Sequence, residues 1–189
     1  MFLGMGIAAA FSQAQPKRLS LNIETGIWQP HSLNDEPRFN TFGAAGATPF
    51  TSISLSYKFL PDYALRLSFG YWALRDLEEV EKVHSLTLHP LCLDLKYWLL
   101  PDLKLSPFVM YGGGIIWGVE NETTPLGDQL NSARTGWSVN LGGGLDLALS
   151  GKLGAGLIFQ YYLVRFSENL GGVEDFSGPK ITGVLHVYF

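Results

Sequence analysis

Charge is scarce in this sequence. Only 16% of its residues are Asp, Glu, Lys or Arg, where an ordinary soluble domain carries about 25%. With 47% hydrophobic residues, such a chain has little with which to dress a fully water-facing exterior. The few charges sum to −4, and Lys17-Arg18 is the one adjacent basic pair. Without a basic stripe to track phosphates, nucleic acid is excluded as a partner. There is a single cysteine, Cys92, so no internal disulfide and no Cys-rich metal site can form. The histidines His31, His84, His89 and His186 show no ligand spacing, and neither metal nor cofactor is expected. Long hydrophobic runs are missing too. The segment Met1 to Phe11 (MFLGMGIAAAF) falls well short of the roughly 20 apolar residues that a spanning helix needs.

That short run reads as the hydrophobic part of an export signal. Ser12-Gln13-Ala14 follows it, with small residues at 12 and 14 where signal peptidase requires them. Residues 1–14 are therefore read as a signal peptide and 15–189 as a single domain. No Lys or Arg precedes the run, which a start site assigned too far downstream would explain.

What fills the rest is alternation at period two. Leu19 to Ile27 places apolar residues at odd positions and polar or small ones at even positions. Ile53, Leu55, Tyr57 and Phe59 alternate with three serines and Lys58; Leu65, Leu67, Phe69 and Tyr71 alternate with Arg66, Ser68 and Gly70. The pattern returns in 91–97, 105–119, 137–149, 153–165 and 181–189. Helical spacing fits none of these segments. Eight strands of this length suit a tilted crossing of a bilayer.

The links between them alternate in length. Leu60-Pro61-Asp62, Leu100-Pro101-Asp102 and Ser150-Gly151-Lys152 are tight turns by composition. The intervening links, roughly 29–50, 74–83, 120–135 and 166–178, are longer. Strict alternation puts all long loops at one end, as in membrane barrels with short periplasmic turns and long external loops. Trp28, Trp72, Trp117 and Trp137 fall near the long-loop ends and Trp98 at the opposite rim. They are expected to form an aromatic girdle at the two interfaces. The expected fold is all-β: an eight-stranded antiparallel up-and-down transmembrane β-barrel.

The terminal run Val184 to Phe189, the stretch Pro90 to Tyr97 leading into a tight turn, and Ser106-Pro107-Phe108 opening a Gly-rich strand resemble the small outer-membrane barrels, of the OmpA transmembrane-domain type and OmpW-like. The resemblance covers nearly the whole chain after residue 15. It implies residence in a bacterial outer membrane with both termini in the periplasm, among outer-membrane lipid and lipopolysaccharide. It also implies that Phe189 belongs to the signal read by the barrel-assembly machinery. A soluble lipid-binding barrel is the rival for the fold, since Gly26-Ile27-Trp28 resembles a lipocalin motif. It is disfavoured because the bulky face here carries no charge and the opposite face is small and polar, the reverse of a lipocalin.

Inward parity falls to Glu24, Lys58, Arg66, Asp94, Lys96 and Asp146, with Lys180 as a further candidate. Unpaired charges in a narrow barrel would be costly, so these are expected to form a lumen charge network. Arg66 is expected to pair with Asp94 or Asp146, in a network that includes Lys96. Arg66, Phe108, Met110, Tyr162 and Tyr188 are large enough to fill the interior. A catalytic reading attaches to His84, Ser85 and His89, because lipid A-modifying barrels use a His with a Ser; no carboxylate is placed by motif to orient either His. Gly112-Gly113-Gly114 and Gly142-Gly143-Gly144 lie inside strands and are not phosphate loops. The long links carry Asp35, Glu36, Asp76, Glu78, Glu79, Glu81, Glu120, Glu122, Asp128, Glu168, Glu174 and Asp175, opposed by Arg38, Arg75, Lys82, Arg134 and Arg165. Such a rim suits plain solvation, divalent-cation bridging to anionic lipid, or a basic protein partner docking at the acidic loops. The function expected is non-enzymatic: a filled outer-membrane barrel serving envelope structure, surface contact or a larger envelope assembly. The alternatives are a lipid-modifying enzyme on the same scaffold and a narrow channel for small or apolar solutes.

Overall fold

The computed structural model describes residues 18–34, 48–76, 83–123 and 129–189. The expected signal peptide and the loop residues Asp35, Glu36, Arg38, Glu78, Glu79, Glu81, Lys82 and Asp128 lie outside them, as do the side chains of Arg75, Asp76, His84 and Glu122. The chain runs through β1 (Leu19–Trp28), a single 3₁₀ turn (His31–Asn34), β2 (Thr48–Leu60), β3 (Tyr63–Asp76) and β4 (Val83–Trp98). It continues through β5 (Leu105–Thr123), β6 (Gln129–Ala148), β7 (Leu153–Leu170), a three-residue β8 (Val173–Asp175) and β9 (Gly178–Tyr188). Each long strand pairs antiparallel with its neighbours from β1 to β7, and β9 closes the ring by pairing with both β7 and β1. The result is a closed eight-stranded antiparallel barrel, with β8 folded back on the upper part of β7.

Register explains how the alternation survives all the way round. Serine 52 faces Glu24, Asp94 faces Arg66, Gly112 faces Asp94 and Gly156 faces Asp146. Every long ladder joins residues of like parity, so even-numbered side chains turn into the barrel and odd-numbered ones turn out. The one shift between neighbouring barrel strands falls between Lys58 and Leu60, beside the Pro61-Asp62 turn. Pro90 introduces none, because the β3–β4 pairing keeps the same register on both sides of it.

The odd face is apolar and exposed: Ile23, Leu55, Leu67, Phe69, Leu93, Leu141, Phe159 and Leu185 belong to one continuous belt. A belt of that extent is far beyond what a water-soluble monomer leaves uncovered. Closure into a barrel also satisfies the backbone without an edge, which is what a lipid-facing sheet requires. The even face is built from small residues on two walls. Ser52, Ser54 and Ser56 line β2, and glycines interrupt β5, β6 and β7. At Gly144 an added Cβ would come within 2.7 Å of Phe108 Cζ. Gly144 thus leaves room for that ring and for the close-lying Leu157 carbonyl of β7.

Strands on the long-loop side run further than alternation foretells. β5, β6 and β7 have 19, 20 and 18 residues, against the roughly 9–11 that a tilted crossing uses. Segments 120–135 and 166–178, expected as loops, are largely strand: β5 and β6 pair up to Thr123 opposite Gln129. β7 turns into β8 through Gly171 and Gly172, whose φ values of 61° and 89° suit a two-residue hairpin turn closed to side chains. The Gly171 amide donates to Glu120 Oε2 at 2.8 Å, tying that turn to β5.

Candidate functional site

The interior is stratified along the barrel axis. At mid-height Arg66 on β3 pairs with Asp94 on β4, Nη1 to Oδ2 at 2.5 Å, and with Glu24 on β1 through Nη2. All three are buried. The reach to Glu24 crosses β2, and the serines there are short enough to allow it. Arg66 Nε donates to Ser54 Oγ at 3.2 Å on the way, while Ser52 and Ser54 hydroxyls donate to the two oxygens of Glu24 at 3.0 Å. Asp94 has a further partner across the lumen: Asn140 Nδ2 donates to its Oδ1 at 2.8 Å, and Gln160 Nε2 donates to Asn140 Oδ1 at 3.0 Å.

Toward the short turns the same network continues. Asn22 donates to Ser54 and Ser56, and its Oδ1 lies 2.8 Å from His186 Nδ1. His186 Nε2 lies 3.2 Å from Asp146 Oδ1. Asp146 Oδ2 accepts from Lys96 Nζ at 2.5 Å and from Trp98 Nε1 at 2.7 Å. Hydrogen bonds, several of them charge-assisted, thus run unbroken from Gln160 to Lys96 and satisfy most of the groups that would otherwise be costly to bury. Arg66 does not bond Asp146; Lys96 takes that carboxylate, and Glu24 completes the arginine. Lys58 stands apart from these hydrogen bonds, with its Nζ 5.0 Å from the centre of the Trp98 ring. Among the described residues Lys180 has no hydrogen-bonded carboxylate: its buried Nζ donates to Tyr162 OH at 3.1 Å and sits 4.4 Å over Phe50.

Toward the long loops the lumen is apolar. Trp28, Phe50, Trp72, Leu86, Leu88, Ile116 and Phe166 pack with Leu33, Leu170 and Phe176 into one cluster. The ring centroids of Trp28 lie 5.7 Å from Trp72 and 5.6 Å from Tyr162, distances at which aromatic pairs attract. The girdle expectation therefore needs correction. Trp28 and Trp72 are 1% and 0% exposed and plug the interior. Trp98 also turns inward, to Asp146. Only Trp117 and Trp137 of the five face outward, at 37% and 52% exposure. Parity carries the reason, since 28, 72 and 98 are even like the lumen charges.

Phe189 lies at the end of β9, exposed, its amide donating to the Leu19 carbonyl at 2.9 Å. Of the residues with a possible catalytic reading, Ser85 and His89 have odd parity and turn outward. The His89 ring lies 5.9 Å from Phe69 and 5.5 Å from Tyr71 on the outer face. Among the described side chains, the histidine that meets a carboxylate is His186, at the opposite end of the barrel. Sequence reasoning passed over His186 and Asn22 as network members, although both are even-numbered polar residues in alternating strands.

No family model and no curated protein sequence matches this chain. Solved structures do match it. The Neisserial surface protein A (NspA) superposes with a TM-score of 0.57 at 10% identity, over 90% of this chain and 95% of the other. Ail, the attachment invasion locus protein of Yersinia pestis, does so with a TM-score of 0.54 at 11% identity, again over 90% and 95%. At such identities the likeness is one of fold, and that fold is the one shared by small eight-stranded outer-membrane barrels.

Proposed function

We propose that this chain resides in a bacterial outer membrane as a non-conducting, non-enzymatic barrel, serving envelope structure or surface contact. The observation that carries this is the doubly closed lumen: an aromatic cluster above and a bonded charge network below it. An ion would have to break buried pairs and displace large rings to pass. The short turns then face the periplasm, and the extended β5–β6 and β7–β8 hairpins project outward. There they would meet lipopolysaccharide or a protein partner. Residues such as Glu168, Glu174 and Asp175 give that exterior its acidic character, with Arg134 Nε ion-paired to Glu168 Oε2 at 2.7 Å.

Reconstituted into planar bilayers, the protein is expected to give no steady current at ±100 mV (a voltage of about this size suffices to drive ions through open pores). Large, long-lived single-channel openings would overturn the occluded lumen in favour of a channel. In cells the protein is expected in the outer-membrane fraction with heat-modifiable gel mobility. Phe189→Asp should lower the assembled fraction in cells several-fold while leaving refolding into detergent unchanged. Equal loss in both settings would make Phe189 a structural residue rather than an assembly signal.

A further inference from the structure

The short-turn mouth of the barrel holds a cavity of about 210 Å³. Four cationic side chains line it: Arg18, Lys58, Lys96 and Lys104. One carboxylate, Asp146, lines it too, and that group is already committed to Lys96, Trp98 and His186. Lys58 and Lys96 approach the same indole, their Nζ atoms 5.0 and 4.8 Å from the Trp98 ring centre. Asp146 neutralises one of these two cations. Among the described residues no carboxylate forms an ion pair with Lys58, Arg18 or Lys104. Asp102 lines an adjoining depression with Arg18 and Lys58 without bonding either. A partly buried ammonium held against a ring, facing a cavity with two further cations at its lip, lacks a counter-charge.

We propose that this cavity binds a compact oxyanion of the phosphate class, with Lys58 as its principal contact. Its size fits a single phosphate or headgroup and falls below the roughly 300–1,000 Å³ of sites for drug-sized ligands. Lysine suits such a ligand as a point charge, and the Ser20 side chain on the wall adds a hydroxyl group. Two sources share this chemistry. Phe59, Leu60 and Leu103 are exposed at the same rim, which sets the mouth at the depth of lipid headgroups. A phospholipid phosphodiester could therefore fold over the rim, and a free phosphate could enter along the axis. Occupancy of this mouth does not depend on whether the lumen above conducts, so the bilayer recording and the binding assay fail separately.

The test uses the whole barrel in a phosphate-free maltoside detergent at low ionic strength. Inorganic phosphate and dihexanoyl phosphatidylglycerol are titrated separately by calorimetry, against wild type, Lys58→Gln and Lys58→Arg. Heat-modifiable mobility verifies folding of each. The expected result is saturable binding of at least one probe, weakened tenfold or more in Lys58→Gln and restored in Lys58→Arg. Binding of inorganic phosphate assigns a soluble anion, and binding of the lipid alone assigns a headgroup. No saturable binding of either probe, or a Lys58→Gln affinity less than tenfold below wild type, overturns the site. Should Lys58→Gln fail to fold, the lip variant Arg18→Gln with Lys104→Gln replaces it under the same tenfold criterion.

Discussion

Arg66→Met should be among the most damaging single substitutions in this barrel, costing about 3–5 kcal/mol of stability. The arginine is the shared cation of two buried carboxylates, Glu24 and Asp94. Met preserves much of the side-chain volume, so the loss would report charge rather than a cavity. Without Arg66, the hydrogen bonds left are those of two serine hydroxyls to Glu24 and of Asn140 to Asp94, with Lys180 the neighbouring buried cation that bonds neither. Neutral donors of that kind do not offset two buried negative charges. The triple variant Glu24→Gln, Arg66→Met, Asp94→Asn removes the charges together, and it should lose less than the sum of its three single losses. Urea-induced unfolding in lipid vesicles measures all four. Strict additivity, or an Arg66→Met loss below about 1 kcal/mol, the typical worth of an exposed ion pair, would show that water already solvates the network.

The direct Arg66–Asp94 contact was legible from parity and from the order of strands, because the residues are cross-strand partners on one face. The contact with Glu24 was not. It depends on a relation between strands two apart: β1 and β3 flank β2, and the serines there are short enough for the two side chains to meet over it. Loop boundaries failed for a different reason. Hydrophobic alternation marks a strand only where one face meets lipid. Above that level neither face of β5 and β6 is buried, so Glu120, Asn121, Asn131 and Ser132 carry no periodic signal although they pair in register. The tryptophans were misplaced by a rule that outranked a better one. Ring position near strand ends suggested an interfacial belt, while their even numbers already assigned Trp28, Trp72 and Trp98 to the same side as Glu24 and Arg66.

Those tryptophans give the second large effect. Trp28→Ala and Trp72→Ala should each cost about 3–5 kcal/mol, the usual range for emptying a packed aromatic site. Both rings are fully buried in one cluster with Phe50 and Tyr162, and the surrounding strands are locked in a closed ladder that cannot collapse to fill the space. Trp137→Ala, on the lipid face at 52% exposure, leaves no internal void and should cost less. Location is separable from energy by fluorescence. In variants retaining a single tryptophan, brominated lipid should quench Trp117 and Trp137 strongly and leave Trp28 and Trp72 nearly unquenched. Comparable quenching of all four would place them in a common interfacial girdle and dismiss the plug. If the plug holds, a Trp28→Ala, Trp72→Ala double variant tests the lower barrier by itself. With the rings gone, the bonded layer around Arg66 is the remaining obstruction, and bilayers containing the double variant should still show no steady current.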